Sequence, residues 1–156
     1  MTDLQRYNLS DNELMSLSSG IAAFEGKHFS TAIQQLKPLA DMGVADAQYR
    51  LAIIYQNGLG GAVHPPEAFA MMTKAAEQGL ALAQHGLGFM YMQGECAEKS
   101  GADAIKWFEK AAEQGLVGSI TTIAMMYQEG NGVERNLDKA RELYQKAGFD
   151  PKEMGL

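Results

Sequence analysis

The chain has 156 residues, of which 46% are hydrophobic, and 13 basic side chains stand against 19 acidic ones for a net charge of −6. Such a length suits one domain with a continuous core. The acidic balance argues against nucleic acid or an anionic membrane as a partner, because both attract basic patches. A single cysteine excludes an internal disulfide and favours a reducing compartment, so we expect a cytoplasmic protein. The first residues hold no apolar stretch of signal-peptide length, and no run of about 18 apolar residues occurs.

Apolar residues at helical spacing, punctuated by glycine and proline, predict the elements in chain order. Residues 1–9 are polar and aperiodic, and we expect them to be flexible. Ser10 and Glu13 have the spacing of a capping box at the start of the first helix. A C-terminal tail is expected over 149–156. The pattern predicts eight helices, over 11–25, about 29–42, 45–57, 66–78, 81–93, 102–114, 117–129 and 137–147.

The sequence repeats itself with a period of 36 residues. Ala-Ala-Glu-Gln-Gly occurs at 75–79 and again at 111–115. A fixed period of this size is typical of stacked-repeat proteins. We therefore predict one all-α repeat domain over 10–148, built from antiparallel helix pairs at about 11–43, 44–79, 80–115 and 116–148. Small residues recur where two helices must cross closely: Ala52, Gly88, Ala124, Ala68, Ala104 and Ala140.

One copy of the repeat carries a family pattern particularly well. It reads Ala83, Gln84, Leu87, Gly88, Met90, Tyr91, Gly94, Ala104, Trp107, Phe108, Lys110, Ala111, Ala112, Gln114 and Gly115. These residues resemble the Sel-1-like repeat, a relative of the tetratricopeptide repeat with a longer loop between its helices. The resemblance implies a right-handed α/α solenoid whose first helices line the concave side, and a role in protein–protein interaction. The loop 94–103 departs from the family pattern because it lacks G-x-G-V.

Charge is distributed unevenly among the predicted helices. Helix 102–114 carries a charged stripe, whereas helix 81–93 and the stretch 117–128 carry no charged residue. Packing between repeats explains part of this neutrality. The remainder predicts a low-charge concave groove that binds a protein or peptide, with a floor formed by Tyr49, Ile53, Gln56, His85, Phe89, Met92, Thr121, Met125 and Gln128.

Residues that could carry chemistry are few and scattered. His28, His64 and His85 lie in different predicted elements without metal-ligand spacing, so we expect no metal and no cofactor. Cys96 and His85 flank one loop, but no third group is evident to orient them, so we expect no catalytic site. A hydrolase-like or small-ligand-binding protein using this pair stays open as an alternative from another functional class.

The leading functional interpretation is a non-enzymatic adaptor or scaffold in a bacterial cytoplasm that binds a protein or peptide in its groove. A dedicated inhibitor or immunity protein for one cognate effector is the alternative among binding proteins. We expect a monomer, because Phe149, Met154 and Leu156 can fold back over the last helix pair and cover its apolar side. An end-to-end dimer is the alternative way to cover that side.

Overall fold

The computed structural model describes residues 3–156, and α-helices joined by short loops make up most of that range. The chain divides into two compact units, Met1–Leu80 and Ala81–Leu156. The first unit contains α1 (Asp11–Glu25), α2 (Phe29–Asp41), α3 (Ala45–Asn57) and α4 (Pro65–Glu77). The second contains α5 (Ala81–Gln93), α6 (Gly101–Glu113), α7 (Val117–Glu129) and α8 (Leu137–Lys146). Short 3₁₀ helices lie at Asp3–Tyr7 and Pro151–Met154. No helix within residues 3–156 is long and apolar enough to cross a membrane.

The predicted helices are confirmed, with ends that shift by a single residue in some cases. Helix α4 begins at Pro65 rather than Pro66, because both prolines fit the first turn, where their missing N–H groups would have no intrahelical partner. The capping box of α1 is also confirmed. The backbone N–H of Glu13 donates to Ser10 Oγ over 3.1 Å, and the Ser10 N–H donates to the Glu13 carboxylate over 3.0 Å.

Small residues mark the close helix crossings, as the sequence predicted. The six predicted positions are all buried. At Gly88 the two helices approach closely, because a β-carbon there would lie 2.7 Å from the ring of Phe108. The absence of a side chain on α5 therefore gives the Phe108 ring of α6 its place, and any larger residue at Gly88 must displace that ring.

The loop between the two helices of a pair has the same backbone in each full repeat. In each copy a backbone N–H at the end of the loop donates to the carbonyl of a tyrosine in the preceding helix. The pairs are His64 to Tyr55, Ser100 to Tyr91 and Asn136 to Tyr127. Two residues after the glycine that ends the first helix, each loop has a residue in the left-handed region. The φ values there are +72° at Gly60, +64° at Cys96 and +74° at Gly132. Cys96 thus adopts the left-handed backbone conformation that glycine adopts in the other two loops, although its own loop lacks the family's second glycine.

Replacing Cys96 by glycine should raise the free energy of unfolding by about 1 kcal/mol, because a β-carbon strains left-handed backbone. Urea denaturation followed by circular dichroism measures this change. Cys96→Ser, which removes the thiol but keeps the β-carbon, is the matched control and should change stability by less than about 0.5 kcal/mol. A gain of equal size in both variants would attribute the effect to the thiol instead of the backbone.

The N-terminal segment, predicted to be flexible over residues 1–9, contains a short helix in its described part. Residues 1 and 2 lie outside the described range, but Asp3–Tyr7 is helical, and Leu4, Tyr7 and Leu9 pack against the core of the first unit. The Tyr7 hydroxyl accepts the N–H of Ala45 at the start of α3, over 3.1 Å. This bond satisfies a helix-terminal N–H that the side chain of Val44 cannot cap.

A pair of glutamine side chains links the two helices of a repeat at the same place in both units. Gln78 Nε2 donates to Gln48 Oε1 over 2.9 Å in the first unit, and Gln114 Nε2 donates to Gln84 Oε1 over 2.9 Å in the second. In the first unit the Tyr7 hydroxyl donates to Gln78 Oε1 as well, over 2.7 Å. Amide side chains can donate and accept together, so these pairs satisfy the buried amides of Gln48 and Gln84 without introducing charge.

The C-terminal tail folds back over the last helix pair, as predicted for two of its three apolar residues. Met154 and Leu156 pack against the cluster around Ala140 and Tyr144, while Phe149 is 41% exposed, so its predicted packing is wrong. The chain turns at Pro151–Met154 and directs the later residues, but not Phe149, onto α8.

Deleting residues 149–156 should lower the free energy of unfolding by about 2 kcal/mol, since it uncovers half-buried apolar surface around Tyr144. Thermal and urea unfolding measure the loss. Phe149→Ala is the control and should change stability by no more than about 0.5 kcal/mol, because that side chain is exposed. Light scattering on the same samples tests the expected monomer: a dimer that survives the deletion would contradict the covering role of the tail.

Candidate functional site

The nine residues predicted to form a groove lie on the first helices of the three full repeats. In the first unit, Tyr49, Ile53 and Gln56 lie on α3 and are partly exposed. Burial raises the pKa of Tyr49, so its hydroxyl stays protonated and neutral. These three residues give the first unit a partly apolar, uncharged strip along α3.

In the second unit, four predicted residues form what we call the neutral surface: His85 and Phe89 on α5, and Thr121 and Met125 on α7. Within each helix the two residues are four apart, so they share a face. A hydrogen bond between His85 Nδ1 and Ser119 Oγ, 2.7 Å long, joins α5 to α7 beside this surface. Ser119 is fully buried, so this bond satisfies a hydroxyl that water cannot reach.

An aromatic cluster supports the α5 side of the neutral surface. The ring of His85 lies 5.0 Å from that of Phe89 and 5.1 Å from that of Phe108, centroid to centroid. Phe89 meets Phe108 edge to face at 5.5 Å. Such edge-to-face pairs stabilise beyond their buried area and hold the rings in fixed orientations. Phe89 therefore contributes to packing as well as to the surface.

On the α7 side of the neutral surface, Met125 is more exposed than His85 and Phe89 on α5, and both residues of the α7 side are uncharged. Met125 is 48% exposed, and the Thr121 hydroxyl donates to the carbonyl of Gly118 over 2.9 Å, which satisfies its donor within the helix. Helix α5 has no charged side chain, and the only one on α7 is Glu129, its last residue. The neutral surface thus combines a thioether, an aromatic ring and an imidazole on two helices that carry no charged side chain apart from Glu129.

Two of the nine predicted groove residues are engaged in contacts within the fold. Met92 is only 8% exposed and belongs to the core cluster of the second unit. The amide of Gln128 is engaged within the fold: Nε2 donates to the Met154 carbonyl over 2.8 Å, and the Tyr144 hydroxyl donates to Oε1 over 2.7 Å. Helical spacing places both on the same face as Phe89 and Met125, three residues earlier, so the packing of neighbouring elements and not the helix period sets them apart.

Sequence reasoning missed Ser119, although a signal was present. The corresponding repeat positions are Ala47 and Ala83, both fully buried. A hydroxyl at a position where the other copies have a methyl group indicates a specific buried partner, because an unpaired buried hydroxyl is costly. His85, one period away from Thr121, is that partner.

Cys96 and His85 are poorly suited to act as a nucleophile and its general base. Burial, with a further contribution from Glu95, raises the pKa of the Cys96 thiol, and a raised pKa disfavours the thiolate that would act as nucleophile. His85 directs Nδ1 at Ser119. Within residues 3–156, no group of three or more His, Cys, Asp or Glu side chains is placed to hold a metal ion.

The packed pairs, repeated loops and small crossing residues define an all-α helical-repeat solenoid. A family model described as Sel1 repeat matches residues 45–80, 81–116 and 123–148. The chain belongs to the Sel1 repeat family, whose members generally serve as protein–protein interaction modules. The sequence-based identification of the repeat is thereby confirmed.

Solved structures from bacteria share the fold. A Sel1 repeat protein from Oxalobacter formigenes is 32% identical, with a TM-score of 0.71, over 83% of this chain and 53% of its own. The c5321 protective antigen of uropathogenic Escherichia coli strains, with an SLR fold, is 32% identical, with a TM-score of 0.78, over 100% of this chain and 34% of its own. Helicobacter pylori cysteine rich protein B shows likeness of fold alone, at 20% identity and a TM-score of 0.55 over 76% of this chain and 85% of its own. This chain therefore spans about half and about a third of the first two proteins. No curated protein matches it.

The buried environment of His85 should make stability depend on pH. Burial lowers the pKa of His85 below its usual 6.5, so the folded state favours the neutral ring. The associated stability is fully present above pH 6.5 and is lost as pH falls toward the lowered folded-state pKa. The melting temperature of the wild type should fall between pH 7.5 and 5.5 more than that of His85→Asn. The exposed His28 provides the control, and His28→Asn should keep the wild-type pH dependence. Identical pH profiles for wild type and His85→Asn would contradict this reasoning.

Proposed function

We propose that the protein is a non-enzymatic adaptor whose neutral surface binds an uncharged, largely apolar segment of a protein partner. The observation that supports this proposal is that Met125 is 48% exposed on α7, that the His85–Ser119 bond joins α7 to α5, and that these two helices carry no charged side chain apart from Glu129. Membership of the Sel1 repeat family supports the protein-binding role. The partly exposed residues Tyr49, Ile53 and Gln56 of α3 offer a strip of similar chemistry within the first unit.

The chemistry of the surface restricts the partner. A charged side chain brought against His85 and Phe89 would lose water without gaining an opposite charge, so a charged segment is disfavoured. Methionine adapts its unbranched side chain to varied shapes, and half-buried aromatic rings provide contact area with little loss of conformational entropy. An apolar segment with a few hydrogen-bonding groups fits these conditions best.

The adaptor role is our proposal over the two alternatives considered from the sequence. The raised pKa of the Cys96 thiol weighs against a hydrolase-like protein that uses Cys96 and His85. A dedicated inhibitor binds one effector tightly through a surface that is complementary to that effector alone. The neutral surface has no feature that would restrict it to one partner in this way. One cysteine in the chain supports action in a reducing compartment such as a bacterial cytoplasm.

Met125→Glu should reduce capture of the partner by at least about 30-fold, because it places an unpaired charge at the centre of an interface. The measurement is quantitative affinity capture from the native host, with proteins identified by mass spectrometry. Met15→Glu is the matched control: Met15 also lies exposed on a helix, at 67%, and the substitution adds the same charge. The proposal fails if Met125→Glu captures the same proteins in the same amounts as Met15→Glu and the wild type.

A further inference from the structure

A second surface in the Ala81–Leu156 unit has a different character from the neutral surface. Helices α6, α7 and α8 enclose a groove of about 420 Å³. Its lining residues follow helical spacing on all three elements, so each helix presents one face to it. We call this feature the charged-wall groove, and its lining is Glu109, Ala112, Glu113, Ile120, Ile123, Tyr127, Lys139, Leu143 and Lys146.

The two walls of the groove carry opposite charge. On α6, Glu109 and Glu113 lie four residues apart and are exposed. On α8, Lys139 and Lys146 lie seven residues apart and are exposed as well. Within residues 3–156, the ion pairs are all local and none joins these walls. Both rows of charge are therefore available to a partner.

The floor of the groove is apolar and two helical turns long. Ile120 and Tyr127 are partly exposed along α7, and Leu143 extends the floor onto α8. Seven residues separate Ile120 from Tyr127, which corresponds to about 10 Å along a helix axis. Lys139 Nζ lies 5.0 Å from the Tyr127 ring centroid, so a cation already borders the apolar floor.

We propose that the charged-wall groove docks an amphipathic helix of a protein partner. The apolar stripe of that helix lies on Ile120, Tyr127 and Leu143. Its flank toward α6 carries lysine or arginine at a spacing of four, opposite Glu109 and Glu113. Its flank toward α8 carries aspartate or glutamate at a spacing of seven, opposite Lys139 and Lys146. Helix-in-groove recognition supplies affinity through the stripe and orientation through the flanks.

A second copy of this chain is a poorer occupant. Helices α5 and α7 also expose apolar side chains (Leu82, Val117 and Met125) but carry no lysine or arginine for the acidic wall, which leaves α1, with exposed Leu14 and Met15, as the charged candidate. Its charged residues are all acidic, namely Asp11, Glu13 and Glu25. Placing α1 in the groove would bring carboxylates against the acidic wall of α6, and like charges disfavour that contact. Charge complementarity therefore favours a helix from another protein that carries both basic and acidic side chains.

The probe is a pair of synthetic helical peptides of identical composition, each about 18 residues long so that the helix can form. The matched peptide carries lysines on one flank of its leucine stripe and glutamates on the other, at the spacings given above. The swapped peptide exchanges only the signs of the charges and keeps the spacing of four on the first flank and seven on the second, so docking in the opposite direction cannot restore the pairing. Binding is measured by isothermal titration at low ionic strength, and the bound site is located by amide chemical-shift changes.

The protein variant for this test reverses both walls at once: Glu109→Lys, Glu113→Lys, Lys139→Glu and Lys146→Glu. All four residues are exposed, and the net charge of −6 is unchanged because two charges of each sign are exchanged. Circular dichroism verifies that the fold is retained.

The wild type should bind the matched peptide at least about tenfold more tightly than the swapped one, from several exposed ion pairs acting together. The reversed variant should show the opposite preference, and both preferences should shrink as salt rises. The largest shift changes should map to α6, α7 and α8. Equal affinity for the two peptides, no binding of either, or a preference that the reversed variant keeps would each overturn the proposal.

The peptide test of the charged-wall groove can succeed or fail independently of the capture test of the neutral surface. Met125→Glu should leave binding of the matched peptide unchanged, because Met125 does not line the charged-wall groove. Conversely, the reversed variant should retain capture through the neutral surface. If Met125→Glu abolished peptide binding while the wall reversal had no effect, the helix would dock on the neutral surface and the groove proposal would fall.

Discussion

The close approach between Gly88 of α5 and Phe108 of α6 is the contact on which the candidate site of the second unit depends. A β-carbon at Gly88 would meet the Phe108 ring at 2.7 Å, so the ring occupies its position because glycine leaves the space. The same ring contacts the rings of His85 and Phe89. Helix packing and the orientation of the neutral surface are therefore consequences of one missing side chain.

The fold was predictable because each local signal agreed with the repeat. Glycines end the first helices, small residues mark the crossings, and a period of 36 residues repeats both signals three times. Repetition turns weak evidence at one position into strong evidence at corresponding positions. The partly exposed state of His85, Phe89, Thr121 and Met125 also follows from that periodicity, since their spacing is helical.

What the sequence could not supply depends on contacts between residues distant in the chain. Tyr7 reaches Ala45 and Gln78 only after α2, α3 and α4 have packed, and a polar opening segment contains no local sign of this role. Gln128 resembles an available surface amide until α8 supplies its partner Tyr144 and the tail supplies its partner Met154. The charged-wall groove was similarly hidden, because charges on α6 and α8 become opposite walls only when α7 lies between them.

Cys96 has a consequence for how the protein can be observed. It is the single thiol of the chain, it is partly exposed, and its loop is held by the Ser100–Tyr91 hydrogen bond. A fluorophore or spin label attached there would report from one defined position outside both proposed binding surfaces. Since burial raises the pKa of the thiol, coupling with a maleimide would proceed faster in mildly alkaline buffer, where more of it is ionised. The residue that departs from the glycine pattern thus offers a ready attachment point for spectroscopy.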